Sequence, residues 1–106
     1  MPDRPPRAAT AVAALLLAGA AHAQTPSPLA VAQLAAGCAN CHGTGGHPVP
    51  GSELHALAGL PKADLLATLM AFKAGTKPST LMHQLTKGYT DAQLEQIAGW
   101  FASRKP

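Results

Sequence analysis

Charge is what this chain has least of. Only 12% of its 106 residues are Asp, Glu, Lys or Arg, and five of them are acidic. The acidic residues are scattered, so no pair of carboxylates stands ready for general acid–base work. No activated serine and no glycine loop suited to phosphate appears. So few basic residues give nucleic acid nothing to bind. Strand-like runs are missing as well, which argues against a βαβ unit, and no internal repeat is visible. The one long apolar stretch, Ala8 to Ala21, is short for a membrane span of about 20 residues. Cysteine is rarer still, with two in the whole chain.

Those two cysteines stand together in Cys38-Ala39-Asn40-Cys41-His42. A C-x-x-C pair can be a redox dithiol, but that motif usually sits beside a βαβ pattern. A structural zinc site needs four ligands, normally as two close pairs. Only the distant His47, His55 and His83 could complete one here. A disulfide across two intervening residues is strained and rare. With His42 following at once, the pattern reads instead as C-x-x-C-H, the attachment signature of a c-type haem. The two thiols add across the two vinyl groups of one porphyrin edge, and the adjacent imidazole binds the iron. One covalent haem c consumes both cysteines.

Attachment of this kind happens outside the cytoplasm, and the N-terminus has the features of an export signal. Arg4 and Arg7 form a short basic region, Leu15-Leu16-Leu17 centres the apolar stretch, and Ala21-His22-Ala23 fits a small-x-small cleavage site. The reading is a signal peptide over 1–23, a domain over 24–106, a periplasmic location and no stable membrane insertion after cleavage. The segment from Gln24 holds six Lys and Arg against four Asp and Glu, a net charge near +2. A domain this small buries a limited core of its own. A covalent haem adds a large apolar disc for helices to pack around.

Every local signal in that domain is helical. Ser27 caps a first helix with Pro28 at its first position, which runs through Leu29, Val31 and Leu34 into Gly37 and Cys38. Gly43 to Gly59 is Gly- and Pro-rich and reads as loop. Pro61 opens a second helix with Asp64 in its first turn, ended by Gly75. Its apolar set is Leu65, Leu66, Leu69, Met70 and Phe72. Pro78-Ser79 opens a third, short segment through Thr86, closed by Gly88. Thr90-Asp91-Ala92-Gln93 is a capping box before Leu94, Ile97, Ala98 and Phe101 on one face, with Trp100 at its flank. The fold class is all-α.

With C-x-x-C-H after a first helix and a last helix carrying Trp100 and Phe101, the chain resembles the class I c-type cytochromes. Within them, Ala58-Gly59-Leu60-Pro61, Phe72-Lys73-Ala74-Gly75, Met82-His83 and Lys87-Gly88-Tyr89-Thr90-Asp91 resemble the haem subunit of flavocytochrome c sulfide dehydrogenase and related short cytochromes. The resemblance implies three main helices plus a short one around the haem, electron transfer without catalysis, and a redox partner. That partner is a flavoprotein sulfide dehydrogenase subunit or, for a freely diffusing shuttle, another dehydrogenase or a terminal oxidase. A sensor or enzyme with an open distal site is the reading of a different class.

The resemblance also implies the ligands, His42 and Met82, with Met70 as core. In this family a proline carbonyl accepts the proximal imidazole's hydrogen bond. That position is His55 here, whose own carbonyl would serve as well. His47 is expected to be solvated and His83 to lie at the surface or haem edge. Lys62, Lys73, Lys77 and Lys87 are expected either as ordinary solvated lysines or as a ring that steers an acidic partner.

Overall fold

The computed structural model describes residues 1–2 and 25–106. The basic and apolar leader and its cleavage pattern lie outside the described residues. Among those described there are four α-helices and no strand.

Helix α1 (Pro28–His42) begins where the Ser27 hydroxyl accepts the Ala30 amide at 3.1 Å, with Pro28 at its first position. It passes straight through Gly37 and ends at the histidine of the pentapeptide, so the whole C-x-x-C-H motif is its last turn and a half. Gly37 is tolerated mid-helix because Tyr89 crosses close by. A Cβ there would sit 3.1 Å from the tyrosine hydroxyl. Gly43 stops the helix at φ 84°, ψ 162°, a region essentially closed to other residues.

Helix α2 (Lys62–Ala74) follows Pro61, carries Asp64 in its first turn and stops at Gly75 in the left-handed conformation. Helix α3 (Met82–Lys87) is short. Helix α4 (Asp91–Ala102) has the complete capping box: Thr90 accepts the Gln93 amide, and the Gln93 side chain accepts the Thr90 amide.

Helix α4 is the hub, packed against both α1 and α2, while α3 packs on α2. Leu94, Ile97, Ala98 and Phe101 are buried from α4, Ala35 from α1 and Leu65 from α2. Trp100 meets Phe101 edge-on, with ring centres 4.9 Å apart. This is the 3.6-residue stripe expected of the last helix, with Trp100 half-buried at its margin.

Two local expectations need correction. The third helix starts at Met82 rather than at Pro78-Ser79, because the Ser79 hydroxyl accepts the His83 amide and so acts as a cap ahead of the helix. The Gly/Pro-rich stretch also contains a single 3₁₀ turn at Thr44–Gly46, with Gly45 and Gly46 at positive φ.

Candidate haem site

The last turn of α1 presents Cys38, Cys41 and His42 together. Cys38 is half-buried, Cys41 is exposed, and neither is in a disulfide. Burial pushes the Cys38 thiol up from its ordinary value. The pair also sits at a helix C-terminus, where the helix dipole opposes a thiolate. Redox dithiols need the reverse, a lowered pKa of the kind found at helix N-termini. Nor do three His, Cys, Asp or Glu side chains converge into a metal cluster among the described residues. A raised thiol at a helix C-terminus and the lack of a three-residue metal cluster among the described residues both run against the dithiol and zinc readings.

His42 is oriented from behind. Its Nδ1–H donates to the His55 carbonyl at 2.8 Å. A carbonyl only accepts, so this bond fixes the tautomer and leaves the Nε2 lone pair for a metal. His55 thus supplies the carbonyl that a proline supplies in the resembling family. The loop carrying it is held in turn. The amides of Leu57 and Ala58 donate to the Gly46 carbonyl, and the Gly59 amide donates to the Phe101 carbonyl at the end of α4.

The surrounding segments leave apolar side chains bare. Val49, Leu54 and Leu60 of the loop, with Leu81 and Leu85 beside and within α3, are 41–73% exposed. Few side chains are fully buried in the central cluster. Exposed apolar side chains in the loop after the C-x-x-C-H turn and in α3, on a domain with a small core, fit a large apolar group that the chain itself does not encode.

The two methionines differ in setting. Met70 is half-buried and packs against the central cluster of α2 and α4 side chains. Met82, also half-buried, is not among the side chains packed there.

Two histidines have partners beyond those expected of them. His47 is exposed yet anchored, because its Nε2–H donates to the Lys105 carbonyl at 2.8 Å while Nδ1 lies 3.3 Å from the Thr44 carbonyl. His83 is half-buried, with Nδ1 bonded to the Ser79 hydroxyl at 2.9 Å. The His47 pairing has no local signal, since Lys105 lies 58 residues away, whereas Ser79 stands only four residues before His83.

The lysines divide. Lys62 pairs with Glu95 at 2.8 Å, an exposed link from α2 to α4. Lys73 is largely covered, and its ammonium donates to both the Tyr89 carbonyl and the Asp91 carboxylate at 2.7 Å. These two are occupied within the fold rather than free to form a ring. Lys77 lies over the Phe72 ring, 5.5 Å from its centre, and Lys87 closes the last turn of α3.

No family model matches the chain. Two curated proteins do. One is the "Thiosulfate dehydrogenase electron acceptor" of Thiomonas intermedia, 35% identical over 72 residues, which is 68% of this chain and 33% of that protein. The other is the "Cytochrome subunit of sulfide dehydrogenase" of Chlorobaculum tepidum, 34% identical over 70 residues, 66% of this chain and 62% of that protein. Helical fold, haem-attachment motif and relatives agree on one class, the c-type cytochromes. More narrowly, the chain is similar to these two relatives over 72 and 70 residues. It spans a third of the length of the first and somewhat under two thirds of the second. No helix among the described residues is long and apolar enough to cross a membrane.

Proposed function

We propose that this chain is a periplasmic one-electron carrier. Cys38 and Cys41 hold a single haem covalently, and His42 and Met82 ligate its iron. The observation that carries the reading is the end of α1, where two free cysteines precede an imidazole whose Nδ1 is already bonded to the His55 carbonyl. When bound, the haem supplies an iron that passes between ferric and ferrous states.

The chain's own residues do the rest. His42 is held at a fixed tilt by His55, which raises its basicity as a ligand. Met82 offers a thioether from the start of α3, and thioether ligation raises the potential relative to bis-histidine. If His42 and Met82 both held the iron, no position would be left on it for a substrate, which separates this reading from a ligand-binding sensor. Residues 1–23 are a signal peptide removed on export. The names of both relatives place a dehydrogenase of a reduced sulfur compound beside them. We assign the same class of electron donor here, with a flavoprotein sulfide dehydrogenase as the specific partner. Lys77 and Lys87 are the lysines left to steer it.

Spectroscopy and partner kinetics test the reading. The exported protein should keep its colour through denaturing electrophoresis and acid-acetone extraction. Met82→Leu should abolish the ferric thioether-to-iron charge-transfer band. Met70→Leu should keep that band and cost less than ~1.5 kcal/mol of stability. The opposite result transfers the ligand to Met70. Reduction by the partner should slow as salt rises and after Lys77→Glu or Lys87→Glu. Sulfide turnover by the isolated chain would overturn the carrier role.

A further inference from the structure

We propose that Ser79 and Thr86 are positioning residues for the Met82 sulfur, acting through the single peptide unit that joins Met82 to His83. The inference rests on the reading of Met82 as distal ligand. That peptide unit is gripped at both polar ends. Its carbonyl, on Met82, accepts from the Thr86 hydroxyl at 2.8 Å. Its amide, on His83, donates to the Ser79 hydroxyl at 2.9 Å.

Neither contact is incidental. Leu81, the residue before α3, offers no side-chain cap, so Ser79 satisfies one of the amides that a helix start leaves open. The Ser79 oxygen accepts that amide and also lies in hydrogen-bond contact with His83 Nδ1 at 2.9 Å, so two bonds to His83 hold the hydroxyl in place. Thr86 is the one buried polar side chain among the described residues, at 1% exposure. Its hydroxyl has no water to fall back on, and Met82 is its acceptor.

Such a clamp matters because the methionine side chain it aims is itself adaptable. A methionine has three rotatable bonds and packs adaptably. Helix α3 has six residues, and Met82 is not packed on the central cluster. Where the sulfur comes to rest therefore depends on where the backbone aims Cβ. A loosened clamp lets the thioether leave the iron more often. The apparent affinity of a competing ligand then rises with the population of the open site.

The experiment is an imidazole titration of the ferric haem protein, followed by loss of the thioether-to-iron band. Ser79→Ala and Thr86→Val should each raise the apparent imidazole affinity about threefold to tenfold, the scale of one net hydrogen bond. Ser79→Thr, which keeps the hydroxyl, should restore the wild-type value. Ile97→Val in the core of α4 should lower the melting temperature and leave imidazole affinity unchanged. Ser79 is only half-buried, so its alanine variant carries the test if Thr86→Val does not fold. If Ser79→Ala melts earlier but binds imidazole like wild type, the positioning role is overturned, although Met82→Leu still loses the band. If Met82→Leu keeps the band, the ligand reading and this inference fall together.

Discussion

The two flanks of this domain hold together by different means. On the α4 flank the chain is its own solvent. Leu94, Ile97 and Phe101 are at most 2% exposed, and they meet Ala35 and Leu65 with no foreign group between. In the loop after α1 and in α3, by contrast, several leucines and a valine are exposed, and His42, His47 and Thr86 are each tied to a backbone carbonyl. The difference shows where the sequence relies on a partner it does not encode. A small core anchors one side, and the proposed haem would supply the other with an apolar disc.

The sharpest way to break that comparison is to withhold the disc. Exported protein with Cys38→Ala and Cys41→Ala together should lose covalent haem. Its far-UV circular dichroism should then lack a cooperative melt, because the remaining core is too small to hold a fold of this size. A double variant that melts cooperatively near wild type would mean that the α4 flank is self-sufficient.

Damage to the α4 flank itself should come next. Phe101→Ala empties the centre of the packed cluster and should cost about 3–5 kcal/mol in denaturant unfolding of the haem protein. Gly43→Ala tests the joint between flanks. Its Cβ would fall 1.7 Å from the His47 carbonyl oxygen in a backbone region essentially reserved for glycine. The strain alone is about 1–3 kcal/mol, and this variant should also broaden or shift the haem spectrum, which Phe101→Ala should do far less.

Thr90→Ala removes half of the capping box of α4 and should cost about 1 kcal/mol, read as a lower melting temperature with an unchanged haem spectrum. The smallest effect belongs to Lys62 and Glu95. The hydrogen bond and charge of Lys62 hold the Glu95 carboxyl below its ordinary value. A carboxyl lowered in the folded state contributes stability above its unfolded pKa and loses it as pH falls through the folded one. Both groups are exposed and screened, so Glu95→Gln should barely move the melting temperature at neutral pH. What little it does should vanish in acid or in high salt.

What was legible in the sequence was what neighbours in the chain decide. Ser27 with Pro28, Gly75, and Thr90 with Gln93 mark helix ends because their side chains or glycine backbone act within four residues. The stripe Leu94, Ile97, Ala98 and Phe101 is likewise local arithmetic, and it is the buried face. The pentapeptide and its motif chemistry were readable for the same reason. The pairing of His42 with the His55 carbonyl was legible through family resemblance, since only the backbone oxygen takes part.

What was not legible depends on residues far apart. Nothing near His47 announces the Lys105 carbonyl, and nothing near Lys73 announces Tyr89 and Asp91, which a lysine on an amphipathic helix meets only once α4 has docked. The late start of α3 was hidden because Pro78-Ser79 looks like a helix opening. In the fold Ser79 serves as a cap standing off from the helix it supports.

The bond from the Gly59 amide to the Phe101 carbonyl, with that from His47 to Lys105, has a consequence for the order of assembly. Helix α4 follows every other helix in the chain, yet it pins the loop whose His55 carbonyl steadies His42. A chain emerging from its N-terminal side therefore exposes its pair of thiols and its imidazole long before the brace behind them can close. Securing that brace means bringing Gly59 to Phe101 and His47 to Lys105, contacts that need α4 and the residues after it. The attachment signature is thus translated well before the helix that pins its brace.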